Sequence, residues 1–163
     1  MSFRIRTTCL AALAFALWSV RAHSDETLPS ASSLSMEQRG SIQVRVDRTR
    51  NIQGQVCVSL FSTPQGFPAE ARTATSTLCI KAAELKTSSF AFNDLPWGTY
   101  AVALFHDENF DKKLNFGIFG IPAEGFGFSN NPGLRIGAPA FQECAFSLGE
   151  EEQNVVIDLR YLL

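Results

Sequence analysis

The chain has 163 residues, 45% of them hydrophobic and 18% charged, with a formal net charge of −2 at pH 7. That composition supplies the core of one small domain. The Lys and Arg residues form no cluster, which excludes the phosphate-backbone binding on which nucleic-acid affinity rests.

The first element reads as a secretory signal over residues 1–22. Arg4 and Arg6 give a basic start, an apolar run extends from Cys9 to Val20, and Val20-Arg21-Ala22 puts small residues where a signal peptidase reads. The run is 12 residues long, short of the roughly 20 that a bilayer-crossing helix needs. No later segment is apolar enough to span a membrane, so the mature chain is expected to be exported, to the periplasm or the medium, with no membrane span. Cleavage also removes Arg4, Arg6 and Arg21, which makes the remainder more acidic. Residues 23–39 (HSDETLPSASSLSMEQR) are polar and Ser-rich and read as a flexible leader. A single domain is expected over 40–163.

From residue 40 onward the apolar period is two. In SIQVRVDR, Ile42, Val44 and Val46 alternate with Gln43, Arg45 and Asp47, so one face meets a core and the other meets water. GQVCVSLF, TLCIKA, SSFAFNDL, GTYAVALFH, CAFSL and QNVVIDLRYLL continue the pattern. Six to seven short strands between Gly, Pro, Asn and Ser turns predict an all-β, antiparallel β-sandwich of the immunoglobulin or prealbumin type. AEARTATS and KAAELK are expected to form single turns at most. Cys57 and Cys79 fall in neighbouring strand-like runs and are the expected disulfide, which leaves Cys144 as a buried thiol.

In NDLPWGTYAV, Tyr100 follows a Pro-x-Gly turn at a strand start, the setting of a tyrosine corner, in which the hydroxyl returns to the backbone a few residues upstream. The strand 99–106 is apolar on both sides and must be covered on both. The long segment 107–140, with Phe110, Phe116, Phe119, Phe126 and Phe128, is expected to be an ordered loop that packs down as the second cover.

The stretch HDENFDKKLN, residues 106–115, concentrates the polar chemistry. Asp107, Asn109 and Asp111 alternate, with Asn115 beyond, so their side-chain oxygens form a candidate Ca²⁺ set. The match to a calcium loop is partial, because Lys112 stands where the turn wants Gly and Ile118 where it wants a bidentate Glu. The alternative is an Asx-rich turn in which Asp and Asn bond their own backbone. His106 ends an apolar strand, and the other histidine, His23, lies in the leader, so zinc is not expected. Ser129, His106 and Asp107 are the residue types of nucleophilic catalysis. Adjacent strand residues face opposite ways, however, and Ser129 lacks an elbow context, so an enzyme is not expected. GIPAEGFGFSNNPG, with Phe126, Phe128 and Asn130, is apolar and amide-rich and is a candidate face for a peptide or glycan.

The run LPWGTYAVALFHDENFDKKLNFGIFGIPAEGFGFSNNP resembles the signature of a bacterial exported family, domain of unknown function 2141, and GQVCVSLFSTPQGFP (54–68) resembles that family's first hairpin. The resemblance covers nearly all of 40–163 and implies an immunoglobulin- or prealbumin-like sandwich with no assigned activity. The family pattern has Gly and Asp where this chain has Lys112 and Asn115, which weakens the Ca²⁺ reading here. The expectation is a non-enzymatic binding or structural module of the bacterial envelope, facing an envelope protein, peptide or glycan. Its expected site comprises the cation set Asp107, Asn109, Asp111 and Asn115 and a ligand surface of His106, Glu124, Phe126, Phe128 and Asn130. The alternative is a cation-dependent hydrolase using the same acidic loop.

Overall fold

The computed structural model describes residues 37–133 and 136–163. The signal at 1–22 and the leader up to residue 36 lie outside the described residues; the leader's last residue, Arg39, already belongs to the first strand. Eight strands follow: β1 (Arg39–Asp47), β2 (Gln55–Phe61), β3 (Ser76–Lys81), β4 (Phe90–Pro96), β5 (Gly98–Asp107), β6 (Gly125–Phe128), β7 (Phe146–Leu148) and β8 (Glu152–Asp158). One sheet runs β4-β1-β8. The other runs β3-β2-β5-β6, with β7 added beside the first residues of β5.

The alternation read from the sequence is what closes these sheets face to face. Ile42 and Val44 of β1, Phe90 and Phe92 of β4, and Val155 and Ile157 of β8 meet Val56, Val58 and Leu60 of β2 and Tyr100, Val102 and Leu104 of β5 in one buried core. The sandwich is therefore as expected, with two differences. β1 and β8 pair in parallel, Ser41 with Glu152 through Asp47 with Asp158. Period-two alternation is the same in either direction, so it carries no trace of this. The strand count is also higher, because β6 arises inside the segment read as a loop. Its inward positions are Gly125 and Gly127, where a Cβ would come within 2.4 Å of the Tyr161 ring and 2.8 Å of Ile157 Cγ2. The inner face of β6 is pressed so closely against β8 and its extension that only glycine fits, and glycines conceal a strand.

β5 is covered on both sides, as its composition requires. Its outer residues Ala101 and Ala103 join Phe61, Phe141 and Cys144 in a second, smaller core. The cover comes from the β2–β3 loop and from a single helical turn, α1 (Phe141–Cys144). Phe67, which precedes a cis proline, stands edge-on to Phe61 at 5.3 Å and to Phe141 at 5.7 Å. From segment 107–140, only Phe126 and Phe128 contribute to the packing expected of its aromatics. Phe110, Phe116 and Phe119 are exposed, Phe119 almost completely. They lie on loop tips beyond the sheet, where the outer face of β5 is already occupied. AEARTATS and KAAELK give one short 3-10 turn each, at Ala71–Thr73 and Ala82–Glu84.

Cys57 and Cys79 face each other across β2 and β3 and form the disulfide; Cys144 is buried at the end of α1. The tyrosine corner is present: the buried Tyr100 hydroxyl donates to the Pro96 carbonyl at 2.7 Å. Tyr100→Phe keeps the ring but removes that donor, and should cost about 1 kcal/mol. The corresponding shift in a thermal melt is about 4 °C for a domain of this size.

Candidate functional site

The end of the sandwich where β1, β5 and β8 all finish gathers the loop 48–54, the loop 108–124 and the C-terminal segment 159–163. The β1–β2 loop lies directly against β5. Gly54 has φ +68°, and a Cβ there would sit 2.0 Å from the Asp107 carbonyl oxygen. The loop therefore delivers its side chains and carbonyls onto the end of β5, where His106 and Asp107 are both fully buried.

His106 lies between two fixed partners. Its Nε2 is 2.7 Å from the Gln53 carbonyl, which can only accept, so Nε2 carries a proton, and in the neutral ring Nδ1 accepts from the Tyr161 hydroxyl, also at 2.7 Å. The Tyr161 oxygen in turn accepts the Arg50 backbone N–H at 3.2 Å. Burial pushes the Tyr161 hydroxyl above its ordinary range, which keeps its proton available to the imidazole. The Arg50 guanidinium lies over the Tyr161 ring, 4.6 Å from its centre, and grips Glu108 through two bonds of 2.8 and 2.7 Å. It also donates to the carbonyls of Ala123 and Leu163, so one side chain ties three loops together.

The carboxylates expected to hold a cation instead bind backbone. Asp107 Oδ2 accepts from Gln55 Nε2 at 2.7 Å and Lys112 N–H at 2.9 Å, and Oδ1 accepts from Asp111 N–H at 3.1 Å. Glu124, also buried, accepts Glu108 N–H with one oxygen and Asn115 N–H with the other, both at 2.9 Å. It thereby staples the start and the middle of the loop to β6's lead-in. Asn109 and Asn115 donate their amides to Asp111 Oδ2 at 3.2 and 3.0 Å. Asp111 also accepts Lys113 N–H at 2.8 Å. The Asn115 amide, more than any other group, holds the Asp111 carboxyl below its usual range. Side-chain oxygens that would converge on a Ca²⁺ are thus aimed at N–H groups, and Phe110 and Lys112 take up left-handed backbone, at φ 64° and 61°, to bring those groups round. Among the described residues, no three His, Cys, Asp or Glu side chains are grouped to hold a metal. The donor set does not fit a calcium shell.

The remaining candidates lie lower on the sheet. Phe126 stands opposite Phe105 and Phe128 opposite Ala103, both half-buried. A shallow cleft of about 50 Å³ opens beside them, lined also by Pro132 and Arg160, well below the roughly 300 Å³ of a small-ligand pocket. Asn130 donates to the Ala145 carbonyl at 2.8 Å, and Asn131 bonds both the Val156 carbonyl and Asp158 N–H. Ser129 is fully buried, accepts Val102 N–H at 2.9 Å and donates to the Cys144 carbonyl at 2.6 Å. The Ser-Asn-Asn run fastens β6 to β5, β8 and α1. It stands level with Val102, four residues from His106, or roughly 13 Å along the strand, so serine and imidazole do not form a pair.

Sequence reasoning did not reach Arg50, Gln53, Gln55, Glu108 as a paired group, or Tyr161. No short motif joins them, because they meet only through the fold, 52 to 111 residues apart. The Arg50–Glu108 pair gives a pH prediction. It depresses the Glu108 carboxyl from 4.5 to about 2. A lowered folded-state value stabilises above the unfolded value, so this contribution is complete above pH 4.5 and lost as pH falls toward 2. A plot of melting temperature against pH should decline over that window, and Glu108→Gln should remove that part of the slope.

A family model described as an uncharacterized protein conserved in bacteria (DUF2141) matches residues 44–156. No curated protein and no solved structure matches the chain.

Proposed function

The chain belongs to the DUF2141 family, and on that footing we propose that it is a non-enzymatic binding module, exported to the bacterial envelope, whose binding edge is the loop 107–124. The observation that carries this reading is the division of labour within the loop. Asp107, Glu124 and His106 are buried and committed to holding it, while Phe116, Ile118 and Phe119 are held out in solvent. A catalytic centre needs titratable groups that face its substrate; here Asp107, Glu124 and His106 face inward, and the apex of the loop is apolar. The cross-strand disulfide supports an oxidising compartment.

The test is a photoreactive phenylalanine analogue in place of Phe119 in the expressing cell, with the same analogue at Glu150, on the β7–β8 turn at the opposite end, as the control. Irradiation should attach an envelope component at 119 and none at 150. Equal labelling at both positions, or none at 119, overturns the reading.

A further inference from the structure

The loop's outermost part, residues 116–122, is a tight hairpin. Gly117 N–H donates to the Ile121 carbonyl at 2.8 Å, and Phe116 bridges to Pro122. Phe116 is 60% exposed, Ile118 75% and Phe119 96%. Phe119 also has φ 63°, a left-handed backbone that favours glycine or asparagine. A phenylalanine that is both strained and solvated adds nothing to the sandwich. Exposed Leu163 packs beside Gly117, where a Cβ would meet its Cδ1 at 2.7 Å, and exposed Phe110 stands on the same loop.

Two features indicate what covers this apex. It is a tight hairpin turn whose three apolar side chains are 60 to 96% exposed, whereas protein partners favour a broad patch with a buried centre. It also carries two exposed ammonium groups at its shoulder. Lys112 and Lys113 are exposed beside it, while the neighbouring carboxylates of Asp107, Glu108 and Glu124 are bonded to N–H or guanidinium groups and Asp111 to the Asn109 and Asn115 amides. This sets two exposed ammonium groups on the same loop as the apolar point, with that of Lys113 also near the Asp111 carboxylate. Aromatic and aliphatic side chains at the tip with lysines behind them match the layering of a phospholipid surface, acyl chains below and phosphates above.

We propose that residues 116–120 form a membrane-surface anchor, inserting Phe116, Ile118 and Phe119 into the headgroup–acyl boundary of an anionic phospholipid bilayer while Lys112 and Lys113 meet the phosphates. This rests on the loop being the binding edge and names its partner as lipid.

Protein recovered from the expressing cell should sediment with vesicles of phosphatidylcholine and phosphatidylglycerol. Ile118→Ser/Phe119→Ser should cut that partition by about tenfold or more, with an unchanged melting curve because both side chains are exposed. Lys112→Glu/Lys113→Glu should lose binding to the mixed vesicles, and salt should weaken the wild type's binding. Partition that is absent in the wild type, or identical in the Ser variant, overturns the proposal. If Phe119 cross-links an envelope protein while vesicle binding is absent, lipid is refuted and the binding edge stands; if both fail, both are refuted.

Discussion

Asp107→Ala is expected to lower the stability of the domain by about 3–4 kcal/mol, with the melting point falling by roughly 12–16 °C. The carboxylate is fully buried and accepts three hydrogen bonds, two from the backbone N–H groups of Asp111 and Lys112 and one from Gln55. Alanine leaves those donors facing a gap with no acceptor, at about 1–3 kcal/mol for each group so stranded. Gln55 is half-buried and can turn to solvent, so the two backbone groups set the scale. Asp107→Asn keeps the volume and one acceptor oxygen and should recover about half of the loss. Because the oxygens serve N–H groups rather than a cation, added Ca²⁺ should not move the melting curve of wild type or variant, nor should a chelator. A melting curve that rises with Ca²⁺ in the wild type and not in Asp107→Ala would sink this account.

The same residue shows where the sequence stopped being informative. Asp-x-Asn-x-Asp is legible as a set of converging oxygens, but a cation and a folded-back main chain make the same local demand on side-chain type. What separates them is the direction of the N–H groups, which depends on left-handed backbone at Phe110 and Lys112, residues whose side chains do not announce it. His106 shows the limit in another form. Its place at a strand end was readable, but its fixed tautomer depends on Tyr161 and on the Gln53 carbonyl, both more than fifty residues away. The features that were legible are those with a local physical signature: alternation for the sandwich, Pro-x-Gly-x-Tyr for the corner that bonds Pro96, and cysteines in adjacent strand-like runs for the bridge. β6 escaped because its inner face is glycine, and the parallel partnership of β1 with β8 escaped because side-chain period is blind to strand direction.

Cys57→Ala/Cys79→Ala is the second large effect, an expected loss of about 3 kcal/mol, or roughly 12 °C in melting temperature. The bridge closes a loop with a sequence separation of 22, and most of its effect comes from restricting the unfolded chain. Its position adds a local consequence. β3 is an edge strand with β2 as its only partner among the described strands, and its own Thr77, Leu78 and Cys79 side chains are exposed. Little apolar burial holds it beyond the ladder, so the covalent link to the central strand β2 is what prevents it from peeling away. Backbone amides of β3 should therefore exchange with solvent much faster in the double variant, while those of β2 and β5, which stay paired to each other, slow or quicken only with global stability. A reductant should reproduce the melting shift in the wild type and leave the variant unmoved. A variant that melts within about 2 °C of the wild type, with unchanged exchange in β3, would mean that the ladder and the partly buried Ile80 hold the edge alone, leaving the bridge no structural role at this edge.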